Sequence, residues 1–413
     1  MKCDVLVVGA GIAGPVAALK ALHHGLNVIL IEKEKSVAGT IDTKLDLTEQ
    51  SSNEHIIEEL RLPIHDTSNK SKWFSPNQVF NFESQIHDLY VKRGRDDDSF
   101  EKQTISRIQD MGGTLLLDTI LKKFESSKNN VVRKVLVKNK DATVEIEPSF
   151  IIGADGTEST VLQLSGLKRY ETILGEFHGC GVFGTDFNLP IGVTHVFFDR
   201  TIAPGGYIFA TRSQHNQCVL GVGIDPSLTD MTPRQHNEKA MADKRLSGIL
   251  QDAKISNMLQ GYGRYGLLKH HAIGNIMMVG AAGRFSDPLF CYGVRQAILS
   301  GYNAANICVH SLESTLDVEP SIAFESTMKE LQNQIKQGLF FRKVFRRIDN
   351  NDLDAIVRIV ADAQDDGLNV DYLFKENTAI LMKHILRHGG SCTKMFLKSI
   401  PYLVEYLLKT YHQ

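Results

Sequence analysis

Residues 5–8, Val-Leu-Val-Val, form an apolar run that leads without a spacer into Gly9, Gly11 and Gly14. Ala17, Ala18, Leu19 and Leu22 then recur at helical spacing, and a second apolar run, residues 28–31, ends on Glu32. Short apolar runs bounded by turn residues read as buried strands, and a three-to-four residue repeat reads as helix. Residues 3–33 therefore predict strand, glycine turn, helix, strand and terminal acid. A helical period covers residues 100–111 and closes on Gly112-Gly113; residues 114–121 then read as a strand. Residues 131–146 alternate as a hairpin does, and residues 150–153 predict a buried strand ending in the polar turn Ala154-Asp155-Gly156. Residues 54–92 mix short apolar pieces with turn signals such as Ser75-Pro76-Asn77, and predict strands of a second layer.

Residues 170–265 are rich in turn residues, among them Gly179, Gly181, Gly184, Pro190, Gly192 and Pro204-Gly205-Gly206. Alternation over residues 194–198 and 218–222 predicts half-buried strands in a separate sheet. Residues 275–279 return to a buried strand, followed by a glycine loop and a long helix over 293–312. Helical spacing continues over 321–413, with a break at Gly389-Gly390. The pattern divides the chain into a dinucleotide-binding domain (1–170 and 266–320, with 54–92 assigned to the second layer), a β-rich domain (171–265) and a helical C-terminal region (321–413). A strand–helix–strand fold interrupted by a β-rich insert suits a flavoprotein better than a nicotinamide dehydrogenase.

The opening unit has a physical reading. Gly9 allows the tight turn, Gly11 lets backbone approach a pyrophosphate, and Gly14 lets helix and strand pack closely. The helix N-terminus faces the phosphate charge, and Glu32 is placed to accept hydrogen bonds from both ribose hydroxyls. The 413 residues suffice for two to three domains. A formal net charge of −2 with no long basic run argues against nucleic acid as a partner. Strand one begins almost at once, with no signal peptide before it, and no apolar run is long enough to span a bilayer. The six cysteines (Cys3, Cys180, Cys218, Cys291, Cys308, Cys392) form no CxxC pair, which fits a reducing cytosol and neither a zinc site nor a disulfide framework.

Three further stretches carry a resemblance. Gly153-Ala154-Asp155-Gly156 with Ser159 resembles the GADGxxS motif of FAD enzymes of the hydroxybenzoate-hydroxylase type. Val279-Gly280-Ala281-Ala282-Gly283, followed by Asp287-Pro288 and Gly293, resembles their second motif, GDAAGxxxPxxGxG. Ala203-Pro204-Gly205-Gly206-Tyr207 resembles the PGGY signature of the geranylgeranyl reductase family, and residues 345–349, running into Asp352-Leu353, resemble that family's helical tail. The resemblance covers nearly the whole chain, with the motifs in the family's order. It implies an α/β fold in which an interrupted Rossmann-type FAD-binding domain carries a β-rich substrate domain and a helical C-terminal region.

The activity it implies is reduction of isolated carbon–carbon double bonds in polyprenyl lipids with FAD. By this resemblance Gly9, Gly11, Ile12, Ala13, Gly14, Glu32 and Lys33 bind the ADP half, and Arg93 is an FAD-contacting arginine. Asp155 lies in the motif organising pyrophosphate and ribose, while Gly280, Ala281 and Pro288 belong to the second motif. Gly293 and Val294 begin the helix facing the flavin pyrimidine ring, whose dipole favours the anionic reduced flavin. NADPH, ferredoxin and a deazaflavin are all open as electron donor, and peripheral membrane contact of an otherwise cytoplasmic protein is compatible with a lipid substrate. No second glycine motif for NADPH is apparent, which favours a protein donor.

The chain departs from the family pattern. The motif aspartate that holds the flavin ribitol is Ala281, removing a charge-assisted hydrogen bond of about 1.5–3 kcal/mol. Cys291 replaces the glycine of PxxG, no cysteine stands in residues 40–47, and Phe209 replaces the usual tryptophan after PGGY. Alkene saturation needs a proton from a weak acid in a dry site. The candidates are Cys291, Tyr292 and Tyr207, against which stand a small buried hydrophobe, a flavin-pocket wall and a lipid-tunnel wall. His23-His24 read as charges at a helix C-terminus and His270-His271 as solvent-facing, with no third ligand for a metal. Asp96–Asp98 suit a helix N-terminus. Arg342, Lys343, Arg346 and Arg347 read as a solvated face, or as attraction to lipid headgroups or an acidic donor. The apolar stripe from Ile380 to Leu408 reads as core packing ahead of membrane contact. An FAD monooxygenase of the same fold and a non-catalytic lipid-binding protein remain as alternatives; a halogenase expects a lysine and a tryptophan motif that are absent, the single tryptophan being Trp73.

Overall fold

A computed structural model describes residues 1–39, 44–49, 53–126 and 131–365. It divides into two compact units, the first made of Met1–His65, Val91–Gly175 and Gly263–Lys336. The second comprises Asp66–Tyr90, Glu176–Tyr262 and the described chain from Gln337 on. The stripe over 380–408, the Gly389-Gly390 break, Cys392 and residues 40–43 lie outside the described residues.

The sheet of the first unit follows the order Ala272–Ile273, Ile276–Met278, Ala142–Gly153, Lys2–Val8, Val28–Ile31, Thr114–Leu116. Lys2–Val8 sits centrally and pairs in parallel with both neighbours, Val5 opposite Val28 on one side and Phe150 on the other. Continuous burial of the strands at residues 5–8 and 28–31 is what a parallel sheet covered on both faces requires. Helix Ala13–His23 buries nine of its residues, Ala13 through Ala21. Leu6, Ile29, Ile151, Ile276 and Met278 meet on one face of this sheet, each such side chain contributing about 1.5–3 kcal/mol on burial. The strand expected over 114–121 is broken: Thr114–Leu116 stays in the sheet, Asp118 takes φ +50°, and Thr119–Ser126 leaves to pair with Val132–Asn139. Helix Phe100–Asp110 begins at Ser99, whose hydroxyl accepts from the Lys102 N–H.

Strands of the second unit follow the order Lys254–Leu268, Glu171–Thr185, Cys218–Ile224, Tyr207–Arg212, Val193–Phe197, Asp66–Phe74, Val79–Arg93. Pairing is antiparallel from Glu171–Thr185 through to Val193–Phe197 and between Asp66–Phe74 and Val79–Arg93, and parallel between Val193–Phe197 and Asp66–Phe74. Cys218–Ile224 is buried at all seven positions, so the half-buried strand expected there is covered on both faces. One cover is helix Pro233–Ala242, which the turn-rich composition of 170–265 concealed. Its start carries a full capping box, Thr232 with Gln235, and Pro233 at the first position. Glu54–Leu60 is also a helix, not a strand.

The described C-terminal helices do not form a unit of their own: Pro320–Phe345 divides between the two after Lys336, and Asn350–Asp365 belongs to the second. Arg342 is not on a solvated face. It is 1% exposed, donating from Nη1 to the Gly205 carbonyl (2.6 Å) and from Nη2 to Asp225 Oδ2 (3.1 Å). Arg346 joins the same carboxylate at 2.6 Å. Arg200 donates to the carbonyls of Gly206, Phe345 and Ile348, and burial, together with nearby Arg342, pushes its guanidinium down to about 10. His271 is likewise buried rather than solvent-facing. Its ring stacks on Phe285 at 4.5 Å, and its backbone N–H donates to Glu325.

Glu325 yields a pH prediction. Burial penalises its charged form, but donation from His271 and from the backbone N–H of His271 and Ala272 outweighs that, so it titrates below its usual value. A carboxyl depressed on folding stabilises above its unfolded pKa and loses that contribution as pH falls through the folded one. Glu325→Gln is therefore expected to cost about 1 kcal/mol at pH 7. Thermal melts should show the difference closing as pH falls below the ordinary carboxylate range. An equal gap at all pH values would refute the assignment.

Candidate functional site: a dinucleotide cradle in the first unit

The glycine turn is built by the strands that flank it. The Gly9 N–H donates to the Ile31 carbonyl and the Ala154 N–H to the Val8 carbonyl, each at 2.8 Å. Glu32 ends the second strand and reaches back, its Oε2 accepting from the Ala10 N–H at 2.8 Å and its Oε1 from the Glu34 N–H at 3.0 Å. Each carboxylate oxygen keeps acceptor capacity for a hydroxyl. A Cβ on Gly11 would meet nothing within 4 Å, so the turn leaves open space where a pyrophosphate has to approach. Helix Ala13–His23 starts at Ile12 with no side-chain cap and no acid in its first turn. Its leading N–H groups and positive dipole end suit an anion.

A second helix start completes the cradle. Val294–Leu312 begins at Gly293, again without a side-chain cap or an acidic first turn. Asn53 donates from Nδ2 to the Arg295 carbonyl at 3.2 Å. Asn53 Oδ1 and Gln296 Oε1 are buried with no hydrogen-bond partner. Unpartnered buried acceptors cost about 1–3 kcal/mol each unless a ligand satisfies them. Open space at Gly11, two bare helix N-termini and orphaned acceptors beside one of them fit an FAD, whose pyrophosphate is anionic and whose ring carries an N–H donor.

Every cofactor candidate named from the sequence lies in this unit, but several are engaged by protein. The Asp155 carboxylate accepts from the Ser159 hydroxyl (2.5 Å) and the Thr160 and Val161 N–H groups (2.7 and 3.0 Å), holding helix Thr160–Leu164; burial pushes it up. Arg93 pairs with the buried Glu101 at 2.7 Å. Ile12, Ala13, Pro288 and Val294 are buried and Lys33 is exposed. The Gly280 N–H donates to Ser300 Oγ at 2.9 Å. His23 lies exposed in the last turn of the first helix.

The three proton-donor candidates are not alike. Cys291 is half-buried and takes φ +60°, the left-handed conformation of the glycine it replaces. Tyr292 is 39% exposed. Tyr207 belongs to the second unit, 4% exposed, with its ring stacked near Phe177 at 6.0 Å. There the sheet presents glycines beneath rings: a Cβ on Gly221 would strike Phe209 and one on Gly223 would strike Phe177. Trp73, Phe80, Phe82 and Phe198 form a further edge-to-face group. No residue pattern in the sequence marked Asn53 or Gln296, because an unsatisfied amide is visible only once its surroundings are closed. Among the described residues no group of His, Cys, Asp and Glu could hold a metal, and no helix is long and apolar enough to cross a membrane.

The glycine turn, the returning carboxylate and the second helix start define an FAD-dependent oxidoreductase, and the family models agree. The chain belongs to the family described as FAD binding domain, whose model matches residues 97–313, more than half its length. The model for FAD dependent oxidoreductases matches residues 4–171. The chain is 26% identical over 383 residues to the digeranylgeranylglycerophospholipid reductase of Methanothrix thermoacetophila, covering 87% of this chain and 92% of that one. It is 24% identical to digeranylgeranylglycerophospholipid reductase 1 of Methanococcoides burtonii, covering 92% and 93%. Its fold is similar to that of a geranylgeranyl bacteriochlorophyll reductase-like protein from Thermoplasma acidophilum, with TM-score 0.79, 18% identity, and 96% and 99% of the two chains covered.

Proposed function

We propose that this oxidoreductase saturates carbon–carbon double bonds in the prenyl chains of a polyprenyl glycerolipid. The observation that carries the reading is similarity, over about nine-tenths of the chain, to reductases named for such a lipid. An aromatic cluster of the second unit supports it. Phe209 lies over Gly221 and Phe177 over Gly223, with the Tyr207 ring 6.0 Å from that of Phe177, and flat rings above bare backbone suit a branched hydrocarbon with no polar group to recognise.

FAD bound by this chain supplies two-electron hydride chemistry. The chain's own residues then have three tasks. The N-terminus of helix Val294–Leu312 and the orphaned amides Asn53 and Gln296 bind and orient the ring. The apolar rings of the second unit shield a hydrocarbon chain from water. A weak acid holds the proton for the second carbon. Within the first unit, Cys291 Sγ suits that role better than Tyr292, whose exposure admits competing water; Tyr207 Oη is the candidate that the second unit offers.

Incubation of the FAD-loaded, dithionite-reduced protein with digeranylgeranylglycerol phosphate lipids tests the proposal. Mass spectrometry is expected to show a gain of two hydrogens per double bond. Tyr207→Phe or Cys291→Ser should slow turnover about 10²-fold or more for whichever residue donates, a general-acid magnitude. A flavin-replete protein inert toward prenyl lipids but consuming oxygen with NADPH would instead establish a monooxygenase.

A further inference from the structure

We infer that a buried Arg284–Glu171 pair compensates in this chain for the motif aspartate absent at Ala281: it organises the two FAD loops through protein contacts, and FAD affinity depends on it. Counting GDAAGxxxPxxGxG from Gly280 places Pro288 and Gly293 in register, Ala281 on the aspartate and Arg284 on the last glycine of GDAAG. The backbone retains the glycine conformation at that position, φ +59° for Arg284. An arginine in the left-handed region is strained, and its side chain supplies the compensation. It is 5% exposed. Nη1 donates to the Ala281 carbonyl at 2.7 Å, Nη2 to the Thr157 carbonyl at 2.9 Å, and Nε and Nη2 face Glu171 Oε1.

These partners are the loops themselves. Thr157 directly follows Gly153-Ala154-Asp155-Gly156, the turn after strand Ala142–Gly153, and Ala281 lies in the turn after strand Ile276–Met278. The two strands are parallel neighbours, Met278 opposite Gly153. One planar guanidinium therefore ties the two turns together, with Glu171 balancing its charge. Its fork of fixed donors can hold two carbonyls and a carboxylate at once, which lysine cannot. The motif aspartate organises the site through the cofactor; here the loops are fixed by protein before the cofactor arrives, which lowers the ordering cost of binding.

The test is FAD titration of apoprotein, followed by flavin fluorescence quenching, with circular dichroism of each apoprotein as the fold control. Arg284→Gly restores the motif glycine and relieves the backbone, yet its FAD Kd is expected to rise tenfold or more. Glu171→Gln should raise it at least threefold. Ala281→Asp in the Arg284→Gly background should bring the Kd back to within threefold of wild type, the rescue expected if the arginine compensates for the missing carboxylate. Unchanged affinity in the single variants, or no rescue in the double variant, overturns the inference. Should Arg284→Gly fail to fold, the Glu171→Gln titration decides alone. The readout is cofactor affinity, so failure here is separate from any failure of the prenyl-lipid reading.

Discussion

Gly14→Ala is expected to yield a protein that retains no flavin. A Cβ at Gly14 would lie 1.9 Å from the Gly9 carbonyl oxygen and 3.3 Å from Val7 Cγ1. The first contact is with backbone, so no rotamer change relieves it. The helix has to move away from the glycine turn, and its leading N–H groups leave the place where the pyrophosphate binds. Overpacking of this kind costs about 1–3 kcal/mol in stability, occasionally more. Gly11→Ala is the matched control, since its Cβ would meet no protein atom within 4 Å. It should leave the apoprotein's melting temperature unchanged while weakening FAD, because the methyl enters the open space of the cradle. The ratio of visible flavin absorbance to protein absorbance after gel filtration reads both. A Gly14→Ala protein with a full complement of flavin would falsify this account of the turn.

Arg342→Met is expected to destabilise the second unit by about 3–5 kcal/mol, the usual cost of removing one member of a buried ion pair. The guanidinium lies 5.2 Å from the Phe177 ring centroid and bonds both the Gly205 carbonyl and Asp225. Its loss leaves a buried carbonyl without that donor. Asp225, whose side chain is 3% exposed, would keep Arg346 as its remaining cationic partner. For a unit of this size the melting temperature should fall by roughly 10 °C. Arg342→Lys should recover only part of it, because an ammonium is a compact charge without the planar fork. A shift of a degree or two in Arg342→Met would mean that the pair contributes little.

What the sequence disclosed and what it withheld have physical reasons. The cradle was legible because its chemistry is local: Gly9, Gly11, Gly14 and Glu32 lie within one strand–helix–strand unit, and both FAD loops follow strands readable as apolar runs. Helix Pro233–Ala242 was missed although Thr232, Pro233 and Gln235 spell its start, because glycine and proline elsewhere in 170–265 dominated the composition. The basic cluster was misread for another reason. Arg342 is held by Gly205 and Asp225, more than a hundred positions earlier in the chain. Burial of a charge depends on partners that helical periodicity does not reveal, so a stripe of arginines looks solvated until the fold brings a carboxylate and free carbonyls to it. Arg284 is the same case, its partners Thr157 and Glu171 being equally remote.

Trp73, the single tryptophan, sits among Phe80, Phe82 and Phe198 on strands of the second unit. Its ultraviolet emission is therefore a dye placed by nature in one half of the molecule. Flavin belongs to the other half, quenched while bound and green once that half opens and releases it. Proteins built from separate units unfold in steps that a single probe merges. Here two colours, followed in one cuvette as denaturant rises, resolve the melting of the second unit's sheet from the opening of the cofactor fold without any label.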